Sequence, residues 1–204
     1  MRRTKPHTVA LACHASSPTR AVHGIAASAR IGGAGKLAVT FDLDADMSQV
    51  VLPRPRPPGR ADELWRHTCF ELFVALPESE AYCELNFSPS GEWAMYGFVG
   101  YRRGMTTIDV GRSPRIAVRP SSRGLVLEAI TYLDELPMPR PGAPLRAAVA
   151  AVVEETDGRF SFWALAHPSA QPDFHHRLGF ALQVGLPETG QDDLLAETVG
   201  ADRA

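Results

Sequence analysis

Apolar and polar residues alternate along this chain in short runs, without the longer stripes of amphipathic helices. The runs occupy positions 8–13, 36–43, 69–76, 82–88, 93–101, 115–119, 125–133, 147–153, 160–167 and 180–184. Turn-forming residues separate them, and they recur about every ten residues, the rhythm of an antiparallel β-sandwich or barrel. The predicted fold is all-β: an antiparallel sandwich of about ten strands with little helix. The run Pro53-Arg54-Pro55-Arg56-Pro57-Pro58 cannot be a central strand, because each proline lacks a backbone donor. It reads as a stiff extended connector, and 137–144 is a second break of the same kind. Neither break separates halves with cores of their own. Residues 1–186 therefore read as a single domain, followed by a polar, acidic tail over 187–204.

The stretch from Cys69 to Tyr101 carries the most information. In the first run Phe70, Leu72, Val74 and Leu76 point one way, and Cys69, Glu71, Phe73 and Ala75 the other. In the second, Cys83, Leu85 and Phe87 oppose Tyr82, Glu84, Asn86 and Ser88. A hairpin closed by Pro77-Glu78-Ser79-Glu80 pairs Leu72 with Leu85, Phe70 with Phe87, Glu71 with Asn86 and Phe73 with Glu84. A slip of one residue would set apolar against polar along the ladder, so this register is well specified. Reading Ser90-Gly91 as the next, two-residue turn places Ser88 opposite Trp93 and Asn86 opposite Met95. One face then presents Glu71, Phe73, Glu84, Asn86, Ser88, Trp93 and Met95. Such a face is either a half-exposed outer surface or a ligand platform. A flat indole beside planar polar groups suits a sugar ring, and paired carboxylates are also the apparatus of glycoside hydrolysis.

Composition narrows the classes of function. The 204 residues are 45% hydrophobic and carry 21 Lys+Arg against 23 Asp+Glu, a net charge of −2. There is no basic excess to neutralise a nucleic-acid backbone, and enough apolar surface to fold without a partner. No run of about 18 apolar residues is present to span a membrane. Cys13, Cys69 and Cys83 form no CxxC pair, which argues against a disulfide scaffold or structural zinc. The opening Met1-Arg2-Arg3-Thr4-Lys5 and the apolar residues after it faintly imitate a signal peptide, but His14 and Ser16 break the run. The run is read as a first strand and the protein as cytoplasmic. No Gly-rich phosphate loop and no GxSxG elbow occurs.

A second cluster follows the run 160–167. His167, Asp173, His175 and His176 crowd into a loop with Pro168 and Pro172. His167, Asp173 and His175 could ligate a divalent metal, although the spacing matches no common metal motif, or they could hydrogen-bond the backbone of a long loop. At the end of a strand, such a loop is a natural rim for a binding site.

Three motifs in order resemble a known group. Leu64-Trp65-Arg66-His67-Thr68-Cys69-Phe70-Glu71-Leu72-Phe73 resembles a signature of DOMON-like domains, a superfamily related to the family 9 carbohydrate-binding modules. The segment from Tyr82 to Trp93 is similar to its second block. His167-Pro168 with Pro172-Asp173-Phe174-His175 is similar to its third. The resemblance spans about residues 8–184. It implies a β-sandwich of immunoglobulin-like jelly-roll type that binds sugar or haem. In the sugar case it implicates Trp65, Glu71, Glu84, Asn86 and Trp93. In the b-type haem case it implicates Met95 with His167 or His175 as axial ligands, with Met105 a weaker candidate; the absence of CxxCH excludes covalent attachment. Calcium, common in the sugar-binding relatives, would draw on Asp42, Asp44 and Asp46, which otherwise read as a solvated strand edge.

The reading that follows is a non-catalytic domain binding carbohydrate or a similar polyhydroxylated ligand through Trp65, Glu71, Glu84, Asn86, Trp93, His167, Asp173 and His175. The alternatives are a haem-binding electron-transfer or sensor module and a hydrolase or metal-dependent enzyme. The expected partner is a small molecule, not nucleic acid or membrane, with an unseen protein partner left open.

Overall fold

Alternation dictates the local structure: in each strand one set of side chains enters a core and the other turns away. The computed structural model describes residues 8–137 and 144–185. The tail expected over 187–204 lies outside the described residues. Among the described residues, fourteen strands run in chain order: β1 Val9–Cys13, β2 Val22–Ile31, β3 Lys36–Ala45, β4 Val50–Val51, β5 Gly59–Arg60, β6 Cys69–Ala75 and β7 Tyr82–Phe87, then β8 Glu92–Phe98, β9 Thr106–Thr107, β10 Arg115–Ser121, β11 Gly124–Tyr132, β12 Leu145–Glu155, β13 Phe160–Ala164 and β14 Leu182–Val184. Among the described residues, helix is confined to short 3-10 turns at 33–35, 64–66, 133–135 and 177–179.

The strands form two layers. The first sheet runs β10-β11-β3-β2-β1, and the second runs β13-β12-β6-β7-β8-β5. Strand β1 belongs to both: Val9 to Leu11 pair with β2, and Ala12 and Cys13 pair with β13. The β5–β8 pair is parallel. Leu37, Phe41, Leu43 and Leu127 of the first sheet face Phe70, Leu72, Leu85 and Phe87 of the second across one buried core. The rings of Phe41 and Phe70 lie 5.1 Å apart. The expected β-sandwich is therefore the observed fold.

Strand count and one register differ from expectation. Strand β2 was not expected, because Ala, Ser, Gly and Arg give Val22–Ile31 little β propensity. Its pairing with β1 and β3 supplies what propensity lacks. The β6–β7 register agrees residue for residue. The β7–β8 register does not: Phe87 pairs with Trp93, Asn86 with Ala94, Leu85 with Met95 and Glu84 with Tyr96. The turn is one residue longer than expected. Ser88 donates its N–H to Glu92 O, Gly91 closes back on Ser88 O, and Gly91 sits at φ 95°, a conformation suited to glycine. One extra turn residue turns every side chain of β8 over.

Candidate functional site

The outer face of the second sheet, turned away from the sandwich core, holds a second apolar cluster. Phe73, Tyr82, Tyr96 and Phe98 stand on it, with Ala94, Ala148, Ala150 and Ala164 between and beside them. The alanines keep the flanking strands low, so Glu71, Glu84 and Asn86 lie in a trough. Their exposures are 3%, 6% and 0%. Asn86 Nδ2 donates to Glu84 Oε1 at 2.7 Å.

The segment 172–180 lies across this trough. Phe174 packs against the cluster and stands 6.2 Å from the Phe162 ring. The His175 ring lies 5.2 Å from both Phe73 and Phe98 and 5.8 Å from Tyr82. Phe180 stands edge-on to Phe73 and Tyr82. The loop after β8 supplies the other side of the cover. Asp173 accepts from Tyr101 Oη at 2.7 Å and from Arg102 Nη2 at 2.9 Å. The Arg102 backbone N–H donates to Tyr82 Oη at 3.2 Å, and Tyr82 Oη and His175 Nδ1 share a hydrogen bond of 2.8 Å. The other ring nitrogen, Nε2, faces Glu84 Oε2 at 3.6 Å.

Burial governs the electrostatics. It raises the Glu71 carboxyl well above the usual range, and the neighbouring Glu84 charge adds to this while Arg102 opposes it. Burial likewise raises Glu84, against the Asn86 hydrogen bond and Arg102. His175 falls to about 4, through burial and then the Arg102 charge. The Glu84–His175 contact therefore involves a neutral ring at neutral pH and is not an ion pair. Burial works to raise Asp173 too, but the hydrogen bonds from Tyr101 and Arg102 outweigh it and hold this carboxyl down.

Where the trough meets the loop 76–80, the cover leaves a cavity of about 550 Å³. Tyr82, His175 and Phe180 form its inner wall, Tyr101 and His176 its sides. Arg103, Arg146 and Arg177 stand around it with Glu80. A smaller recess of about 320 Å³ lies on the other side of Tyr82, against Phe98 and Val99.

No family model matches the sequence, and a search of curated proteins found no match. Solved structures do match. A "putative carbohydrate-binding protein" from Bacteroides uniformis aligns over 89% of this chain and 86% of its own, with a TM-score of 0.65 and 11% identity. A family 9 carbohydrate-binding module from Caldicellulosiruptor kristjanssonii, in complex with cellotriose, covers 94% of this chain and 88% of its own, with a TM-score of 0.55 and 12% identity. The same kind of module in complex with glucose gives a TM-score of 0.50 and 13% identity, over 90% of this chain and 87% of its own. This chain has their fold. At such identities the likeness is one of architecture, and it bears on the family 9 half of the motif resemblance.

Within that architecture the expected site residues separate into groups. Glu84, Asn86, Asp173 and His175 come together, joined through Tyr82 and Arg102, with Glu71 opposite Asn86 on the paired strand. Trp93 and Met95 do not join them. The one-residue difference in the turn sends both into the sandwich core, at 5% and 0% exposure, on the opposite side of the sheet from His175. Trp93 is thus no stacking platform, and Met95 forms no axial pair with a histidine of this face. Met105, 63% exposed, sits in the loop after β8. Trp65 is exposed on the turn at 64–66, with the Arg66 guanidinium 5.4 Å from its ring. His167 lies elsewhere: its ring is 4.7 Å from that of His14, and its Nε2 donates to Ala12 O at 2.8 Å. His167, Asp173 and His175 therefore do not gather as a metal set, and no group of three metal-ligating side chains occurs among the described residues. Asp44, in β3, takes His23 and Arg123, and Asp46, just beyond it, takes Ser48 and Gln49, so these two aspartates are engaged by the protein itself.

Sequence reasoning missed Tyr82, Tyr101, Arg102 and Phe180. One signal was available for the loop pair: Gly100 and Gly104 bracket an aromatic and two arginines, the composition of a binding loop.

Proposed function

We propose that this protein is a non-catalytic carbohydrate-binding module whose ligand enters the cavity beside Tyr82, Tyr101 and His175. The observation that carries the reading is the cavity itself. It is concave, backed by a rigid sheet, and lined by aromatic rings and convergent hydrogen-bonding groups, which is what recognition of a polyhydroxylated ring requires. The solved structures of like fold that hold glucose and cellotriose support the same class of ligand. Tyr101, 55% exposed and anchored through Asp173, offers the stacking surface. Glu71 and Glu84 lie beneath the cover and shape the trough, so they have no access to a glycosidic bond, which favours binding over hydrolysis.

The test is titration calorimetry with a panel of neutral and acidic mono- to tetrasaccharides. Binding in the micromolar to millimolar range is expected, since each ring stack adds only about 1 kcal/mol beyond area burial. Tyr101→Ala should weaken binding by about fivefold to tenfold, whereas Tyr101→Phe should keep most of it. A panel blank for the folded wild-type protein, or affinities unchanged in Tyr101→Ala, overturns the proposal.

A further inference from the structure

The charges around the cavity do not balance. Arg146 donates its Nε to Phe180 O at 3.0 Å. Arg177 donates both terminal nitrogens to carbonyls, Ser79 O at 2.7 Å and Pro77 O at 3.0 Å. Carbonyl oxygens orient a guanidinium but leave its unit charge in place. Glu80 is the carboxylate on the cavity wall, and it is an exposed group 3.7 Å from Arg103. Asp173 is already held by Arg102. The carboxyls beneath, Glu71 and Glu84, are 3% and 6% exposed and do not line the cavity. Among the described residues, Arg146 and Arg177 therefore face the cavity with no carboxylate partner. A chain of net charge −2 that gathers three arginines around one recess has a local field opposite in sign to the whole.

We infer that the cavity selects a carbohydrate bearing an anionic group, a carboxylate or a sulfate, which Arg146 and Arg177 bind. Guanidinium groups suit this task because their planar donors match the oxygens of either anion. The backbone anchoring of Arg177 holds the fork in place, and Arg146 keeps its terminal nitrogens for the ligand. Tyr101 and the Tyr82–His175 wall take the sugar ring. This inference rests on the carbohydrate reading above and specifies its ligand.

The experiment compares matched pairs of sugars. One pair is trigalacturonic acid and its methyl ester; the other is a sulfated chondroitin disaccharide and its unsulfated form. Calorimetric affinities are measured for wild type, Arg146→Gln, Arg177→Gln and the double variant, with melting temperatures to verify folding. The acidic member of at least one pair should bind about tenfold tighter than its neutral twin, and the ratio should shrink between about 20 and about 300 mM salt. Each single variant should lower affinity for the acidic sugar by more than it lowers that for the neutral one, and the double variant should abolish the preference. The pair that shows the preference tells carboxylate from sulfate. Equal binding of acidic and neutral sugars overturns this inference and leaves the carbohydrate reading standing. A preference that survives in the folded double variant also overturns it. No binding of any sugar overturns both.

Discussion

Replacing His175 by glutamine should change how stability depends on pH. The ring is only 14% exposed and sits between Phe73, Phe98, Tyr82 and Glu84, with Arg102 and Asp173 nearby. Its pKa falls from 6.5 to about 4, so the folded protein resists the proton that the unfolded chain accepts. A base depressed in this way contributes its full stability above 6.5 and loses it as pH falls toward 4. The loss amounts to about 3 kcal/mol, approached at about 1.4 kcal/mol per pH unit. Glu71 and Glu84 act in the opposite sense. Their raised carboxyls cost stability at high pH, and acidification relieves that cost. Both remain in the variant, so the difference between the two proteins reports on His175. Glutamine can still accept from Tyr82 and donate toward Glu84, so the variant should lose only about 1 kcal/mol at pH 7.5. Urea unfolding at half-unit steps from pH 7.5 to 4 measures the difference. It should be flat above about pH 7 and then swing by about 3 kcal/mol in favour of the variant. Parallel curves would mean that His175 titrates normally, and the closed cover over the trough would then be wrong.

The other predictions concern the two faces of the second sheet and one tight pairing. Trp93→Ala should cost about 3–5 kcal/mol in urea unfolding, as for any large aromatic removed from a core, while sugar affinity per folded molecule stays the same. Lost affinity without lost stability would return Trp93 to the ligand face. At Gly124 a Cβ would stand 2.1 Å from Leu43 O and 3.3 Å from Ala45 N, both backbone atoms of the paired strand. Gly124→Ala should therefore destabilise by about 3 kcal/mol or more, read as a lowered melting temperature; an unchanged melting temperature would refute that pairing.

The sandwich was legible because its inner strands alternate cleanly. Phe70, Leu72 and Val74 against Cys83, Leu85 and Phe87 admit a single register, and the structure has it. Strand β2 was illegible because burial and two neighbours, not residue preference, make Val22–Ile31 a strand. Trp93 and Met95 were misplaced by one turn residue. Ser90-Gly91 is a plausible two-residue loop by composition, but Pro89-Ser90-Gly91 is the one formed. The carboxylate and amide of the candidate site follow from the first hairpin. Its other half does not, because Tyr101 and Arg102 reach Asp173 from a loop far away in sequence, and no local pattern encodes that meeting.

The central claim is that sugars enter beside Tyr101 and His175 and do not lie over the indoles. Backbone amide shifts followed by NMR during titration with trigalacturonic acid and with cellotriose test it directly. The account predicts saturable shifts centred on residues 76–80, 101–103 and 175–177 for at least one of the two. Shifts confined to the neighbourhood of Trp65, or none for either sugar, would contradict it.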